Sequence, residues 1–313
     1  MLDYLITVFK EKNGIIWQTK KLKSDSLPKA LGNDSLLRII GDRGSGKTAY
    51  LASLAYWPNA SPESSVKNIT PIGEEAQELI DKAREILEQG LELEATDLNA
   101  DINEVKDYSL SINLKDRFSW LEGSKKSVQL NISCKDYAGE FFSDLIYKNG
   151  DPKLEDYLED CCLATGLLML VDGTSHRKDN ELAMGMEKLL MEIDRSEIEI
   201  QRRRIALVLS KCEQSELWVN RHRPIKVAAR FPKLSAQLET WSQSGTGAVE
   251  YFTTSAFGIV GRQYPEPNSK RLRRSRDGTT SVIKKPKLWR PFGLVSPIYW
   301  LCTGKRHSEL DRD

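Results

Sequence analysis

Apolar residues are spaced along this chain in two alternating patterns. Short continuous runs, SLLRII (35–40), LLMLVDG (167–173), IALVLS (205–210) and VEYFTTSA (249–256), predict strands. Between them the apolar positions recur at helical spacing. Lys47 to Trp57 predicts a helix that Pro58 stops. Ala76, Leu79, Ile80, Ala83, Ile86 and Leu87 share one helical face, with Gly90 placed as a cap. Asp151 and Pro152 open another helix as N-cap and first-turn residue. Leu182, Met186, Leu189, Leu190 and Ile193 mark a further helix, and PKLSAQLETWSQSG (232–245) the next. Residues 107–135 shift to strand character, two runs around Glu122-Gly123-Ser124-Lys125. At the start, Asn13-Gly14 lies between two β-favouring runs, a hairpin signal, with an opening helix as the alternative.

Strands alternating with helices from 35 to 256 predict an α/β fold with a mostly parallel sheet. Runs without alternation suit strands covered on both faces. The 107–135 hairpin is expected to add one antiparallel edge strand. The expected organisation is an N-terminal extension (1–33), a main domain (34–260) with an insertion at about 73–106, and a C-terminal part (261–313).

Composition changes this picture little. A net charge of +1 over 313 residues gives no overall field that would select nucleic acid or membrane. Five cysteines without CxxC spacing and three scattered histidines argue against a zinc cluster and for a reduced, cytoplasmic setting. The first residues lack a secretory pattern, and no run approaches the roughly 20 apolar residues of a membrane span. Locally the charge is uneven. Residues 74–104 hold 11 acidic and 2 basic side chains, and 262–290 hold 10 basic and 2 acidic. The acidic stretch reads as a partner-contacting insertion or as a solvated amphipathic helix with a polar loop. The basic one reads first as an extended linker, pairing with the acidic stretch or contacting nucleic acid or an anionic surface being secondary readings. The apolar PFGLVSPIYWLCTG (291–304) that follows is expected to dock on the core.

The chemistry starts at Gly41-Asp42-Arg43-Gly44-Ser45-Gly46-Lys47-Thr48, a full GxxxxGK[ST] between a strand and a helix. Its glycines let successive N–H groups converge on a phosphate chain, and the helix N-terminus adds its dipole. Lys47 can reach the β- and γ-phosphates, and the Thr48 hydroxyl can bind Mg²⁺. A chance glycine loop would lack the flanking strand and helix. The implied architecture is the three-layer P-loop NTPase fold.

Three later motifs follow in order. Asp136-Tyr137-Ala138-Gly139 comes directly after a strand, where a carboxylate can face a cation and a glycine N–H can approach a phosphate. Here the chain resembles the Ras-like and translation-factor-like P-loop GTPases, whose DxxG holds Mg²⁺ through water and senses the γ-phosphate. Ser210-Lys211-Cys212-Glu213 is similar to that family's Asn-Lys-x-Asp guanine-reading motif, with Ser for Asn and Glu for Asp. By the resemblance, the Lys211 stem packs on the base and Glu213 accepts from the guanine edge. Ser255-Ala256 resembles the loop that offers an N–H to the guanine oxygen. The resemblance thus implies GTP and GDP as ligands, Mg²⁺ as cofactor, and Lys47, Gly139 and Glu140 as catalytic residues.

Hydrolysis needs placement and charge neutralisation. Glu140 occupies the position where Ras-like proteins carry a water-placing Gln. It could act as a base or simply be an acid at a helix N-terminus. Arg43 stands where the family has a glycine. It reads as solvent-facing or ion-paired, as a charge supplied in cis, or as a block to a partner's arginine. The switch threonine is expected between the loop and DxxG, Thr70 being the first candidate and Thr96 the other. The 87 residues between Thr48 and Asp136 exceed what small GTPases use.

The function expected is a GTP-hydrolysing switch acting on protein partners through 60–106 and the nucleotide-sensing segments. The long insertion and the closing segment are similar to bacterial GTPases of multi-gene defence systems. The alternatives are a nucleotide-held scaffold with little hydrolysis, an ATP-dependent enzyme, and a nucleic-acid-binding module led by 262–290.

Overall fold

The computed structural model describes residues 4–11, 14–21, 34–59, 64–91, 105–115, 128–148, 151–196, 203–261, 266–274 and 278–311. Two compact units divide at Asn33/Asp34. In the first, strands β1 (Tyr4–Glu11) and β2 (Gly14–Lys21) pair antiparallel, with Glu11 opposite Gly14. The hairpin reading is therefore the one observed, rather than an opening helix; Asn13 lies outside the described residues.

The second unit contains a seven-stranded sheet. Its strands are β3 (Asp34–Ile40), β4 (Val66–Ile72), β5 (Asp107–Leu114), β6 (Gln129–Asp136), β7 (Gly166–Asp172), β8 (Arg203–Ser210) and β9 (Gly247–Thr253). They are ordered β4-β5-β6-β3-β7-β8-β9. Pairing is parallel from β6 through β9, and β5 alone runs against its neighbours. The α/β sheet with one antiparallel strand is therefore as read from the sequence. That strand lies one place in from the edge, because VKNITPI (66–72) adds as β4 outside it. No strand is predicted over 66–72 from the sequence. Pro71 in the run hides it, and proline is tolerated only on an edge strand.

Helices cover both faces. One face carries α1 (Lys47–Tyr56), α2 (Glu74–Arg84, continued by a π turn to Gln89) and α9 (Val295–Thr303). These pack with Leu37, Ile39, Leu168, Leu170, Ala206 and Val208. On the other face lie α3 (Gly139–Tyr147), α4 (Pro152–Leu163), α5 (Asp179–Arg195) and α8 (Pro232–Gln243), with the short α6 (Ser215–Trp218) and α7 (Pro224–Ala228) leading into α8. They enclose Ile40, Leu167, Met169, Val171, Ile205 and Leu207. Alternate residues of β3, β7 and β8 thus feed opposite cores, as the strand period of two requires.

Local signals explain the helix boundaries. Asp151 accepts from the Lys153 N–H at 3.0 Å, with Pro152 in the first turn. The acidic stretch opens as α2, whose Ala76, Leu79 and Ala83 are buried, and Gly90 closes the π turn at φ 73°.

Past residue 260 the linker reading needs correction. Short strands β10 (Ile259–Val260) and β11 (Glu266–Pro267) pair, and β12 (Ser269–Arg274) and β13 (Gly278–Ile283) form an antiparallel hairpin. Val282 and Ile283, adjacent and both buried, give the basic stretch an apolar anchor. The closing segment packs on the core, with Ile298 fully buried. No helix among the described residues is long and apolar enough to cross a membrane.

Candidate functional site

The C-terminal ends of the parallel strands meet along one sheet edge: Ile39 is level with Asp136, Asp172 with Ser210, and Leu209 with Thr253. Loops leaving such an edge carry the ligand sites of open α/β sheets. The glycine loop leaves β3 there. Gly41, Gly44 and Gly46 take φ of 146°, 75° and 94°, values that disfavour a side chain. Gly41 also lies so close to β7 that a Cβ would stand 2.2 Å from the Leu170 carbonyl oxygen.

Lys47 is buried, and its ammonium donates to the Gly41 carbonyl at 2.8 Å and the Asp42 carbonyl at 3.2 Å. Burial pulls its pKa down, against Asp136 and Asp42. The Thr48 hydroxyl donates to Asp136 Oδ2 at 2.8 Å. Asp136 Oδ1 is buried and has no hydrogen-bond partner. Desolvation raises this carboxyl above its ordinary value, with Lys47 opposing. Two residues 88 positions apart are thus brought together at the mouth of the loop.

Gly139 opens α3 directly against the loop, and a Cβ there would stand 2.4 Å from the Arg43 nitrogen. Glu140 follows, and its carboxylate pairs with Arg43 Nε at 3.2 Å. The ion-paired reading of Arg43 is the one the geometry matches. Asp42 is held by three groups: its Oδ1 accepts from the Arg43 N–H at 2.7 Å and the Ser143 hydroxyl at 2.8 Å, and Lys178 pairs with Oδ2. Ser143 and Lys178 were missed in the sequence because nothing local marks them.

At the end of β8, the Ser210 hydroxyl donates to the Ser45 carbonyl at 2.6 Å, with the Val171 carbonyl at 3.2 Å. Serine at this position therefore ties β8 to the glycine loop. Lys211 is the one non-glycine residue with positive φ (58°) among the described residues. Its ammonium pairs with Asp172 Oδ2 at 2.6 Å. Thr174 donates to the other Asp172 oxygen through its hydroxyl at 2.7 Å and its N–H at 2.9 Å. Asp172 was also missed, although a lone acid closing an apolar strand is a legible signal. Burial pushes its carboxyl up, but Lys211 and Thr174 outweigh this and hold it below its ordinary value. Glu213 is buried, with Oε2 unpartnered. Desolvation raises its carboxyl, opposed by the Ser255 hydroxyl.

Ser255 and Ala256 lie beside this carboxylate at the end of β9. The Ser255 N–H is taken by the Phe292 carbonyl at 3.0 Å, and the Ala256 carbonyl accepts from Ser53 at 3.0 Å and Trp289 Nε1 at 2.8 Å.

Thr70 is not brought to this site. It pairs with Ser111, Ser111 with Asn131, and Asn131 with Asp34, the first residue of β3. Six residue steps along the strand separate Asp34 from Ile40, about 20 Å at some 3.3 Å per step. Thr70 is an exposed residue of the edge strand, with Asn68 as its side-chain neighbour at 3.5 Å. The insertion of β4 and α2 ahead of β5 displaces it. The chain returns to the loop edge at Lys106 and Asp107, the latter level with Lys135. Thr96, on the segment that leads there, lies outside the described residues.

No protein-family model matches this sequence, and no curated protein matches it. Among solved structures, the signal recognition particle receptor SRβ-GTP/SRX complex from Chaetomium thermophilum is similar over 72% of this chain and 92% of that one, at TM-score 0.40 and 12% identity. The GDP complex of the small COPII coat GTPase SAR1, an ADP-ribosylation-factor-like protein from Encephalitozoon cuniculi, is similar over 71% of this chain and 69% of that one, at TM-score 0.28 and 12% identity. These likenesses are too weak to carry function, which rests on the residues above.

Proposed function

We propose that the chain is a cytoplasmic guanine-nucleotide switch: it binds GTP and GDP with Mg²⁺, hydrolyses GTP slowly, and regulates protein partners. The observation that carries this reading is a set of buried, unpartnered polar atoms. Ser45 Oγ, Asp136 Oδ1 and Glu213 Oε2 are such atoms, and each belongs to a different motif at one sheet edge. Buried polar groups are ordinarily satisfied, so an orphan at a loop mouth argues for a ligand.

The residues fit both halves of a magnesium nucleotide. The glycine loop, Asp42 to Thr48, would wrap the phosphates, with Lys47 moving from its two carbonyls to the β- and γ-oxygens. Thr48 and Asp136 would hold Mg²⁺, Asp136 through water, a hard cation among oxygen donors. Bound there, the ion neutralises charge on the β- and γ-oxygens. The N–H of Gly139, a residue whose Cα side lies against the loop at Arg43, would report the γ-phosphate by the position of α3. The Lys211 stem would lie on the base and Glu213 would accept from its edge, with Ala256 offering the N–H because that of Ser255 is engaged.

Glu140 would place the attacking water, and its pairing with Arg43 supports slow turnover. Until that pair opens, the carboxylate is committed elsewhere, which also gives the scaffold reading an observation in its favour. The exposed outer strand β4, including Ile72 at 52% exposure, supports partner contact through 60–106. The defence-system setting belongs to the same proposal.

Displacement of a fluorescent guanine nucleotide by GDP and by ADP tests the core of this reading. GDP should compete better, and Lys47→Ala should abolish binding of both. Equal competition by ADP would place the chain among ATP-dependent enzymes. Single-turnover hydrolysis with and without Glu140→Gln separates switch from scaffold, since a scaffold shows none in either protein even with its partners.

A further inference from the structure

The C-terminal segment has no part in the function proposed so far, yet it holds the loop that follows β9 at several points. Phe292 and Ser255 exchange both backbone hydrogen bonds, at 3.0 and 3.1 Å. The Phe292 carbonyl also accepts from the Thr254 hydroxyl at 3.0 Å. Trp289 donates Nε1 to the Ala256 carbonyl at 2.8 Å, and its ring is buried against Tyr56 and Trp57. Two glycines allow this approach. At Gly258 a Cβ would stand 1.8 Å from the Arg290 oxygen, and at Gly293 it would stand 2.1 Å from the Thr253 oxygen. The same segment reaches the phosphate side, because Tyr50 of α1 donates to the Leu294 carbonyl at 2.5 Å.

We propose that Trp289 and the Phe292 backbone position the 254–256 loop for a purine 6-oxo group, so that the C-terminal segment sets base selectivity. This rests on the guanine reading above. Thr254 donates its N–H to the Leu209 carbonyl at 2.9 Å and accepts from the Cys212 N–H at 3.1 Å, and the Ser255 hydroxyl accepts from the Gly258 N–H at 2.8 Å; the backbone of Ser255 and the Ala256 carbonyl are held by the C-terminal segment and Ser53. The Phe292 N–H on the Ser255 carbonyl, at 3.1 Å, fixes the peptide plane that carries the Ala256 N–H, and Ser53 and Trp289 on the Ala256 carbonyl fix the next plane, which carries the Phe257 N–H. A 6-oxo purine needs a donor aimed at its oxygen, and the 6-amino group of adenine would meet the same donor as a clash. Trp289 does not touch the nucleotide in this scheme and is a positioning residue.

The chemistry separates Trp289 from Glu213. GDP and IDP share the 6-oxo group, but only GDP has the exocyclic amine that Glu213 would accept from. Competition with GDP, IDP and ADP should be measured on the full chain, on Trp289→Phe, on Thr254→Val and on Glu213→Ala. Trp289→Phe should weaken GDP and IDP by a similar factor, about tenfold for one lost ordering hydrogen bond, and leave ADP unchanged. Thr254→Val, which keeps the volume and loses the bond to Phe292, should give the same pattern more weakly. Glu213→Ala should collapse the GDP/IDP ratio. If both Trp289→Phe and Thr254→Val weaken all three nucleotides equally, or none, the positioning role is overturned. If the unaltered chain fails to prefer GDP over ADP, the guanine reading itself fails, and this inference with it.

Discussion

Two buried groups in the candidate site have opposite needs. Ser210 gives its hydroxyl to a loop carbonyl that has lost access to water, so Ser210→Ala leaves the Ser45 oxygen unsatisfied. A buried acceptor without a donor costs about 1–3 kcal/mol, so urea unfolding should show a loss in that range. Glu213 is the converse, a carboxyl that burial raises above 4.5. A raised carboxyl favours the folded state when protonated, so its contribution is present below about pH 4.5 and is lost as pH climbs through the raised value. Guanine donors would stabilise the ionised form. GDP affinity should therefore rise with pH across that window, and Glu213→Gln should flatten the rise in a fluorescence titration at stepped pH.

At the scale of elements, the proposed switch would act through the junction between α3 and the glycine loop. The Gly139 Cα faces backbone atoms of 42–43, which cannot rotate away as a side chain could. Gly139→Ala must push α3 from the loop, and a misplacement of about 1 Å can cost roughly 10²-fold in rate. Single-turnover GTP hydrolysis should fall by about that factor, with helix content unchanged by circular dichroism. The acidic insertion behaves differently. Its α2 is a packed helix, with Ala76 and Ala83 at 0% exposure, while Glu74 and Glu75 are exposed. Partner contact, if it uses this element, uses its charged face.

For the whole molecule, the closing helix is a structural member of the main unit. Ile298 is fully buried among residues of the α1/α2 face. Ile298→Ala should cost about 2–5 kcal/mol and lower the melting temperature, read by scanning calorimetry, with the GDP/ADP preference unaltered. Sequence alone determined the strand–helix alternation, the glycine loop and the order of the motifs, because strand runs, helix spacing and positive-φ glycines are local properties. It also marked Asp136 and Glu213 as acids at strand ends. Three matters were decided by tertiary structure. An edge strand took Thr70 some 20 Å from the loop, through pairings that no local signal encodes. Arg43 and Glu140, 97 positions apart, became an ion pair. The last turn of chemistry, Phe292 and Trp289 against the 254–256 loop, comes from segments that meet only when both have packed on the same core, and contacts at that sequence distance follow from packing, which the order of residues does not display.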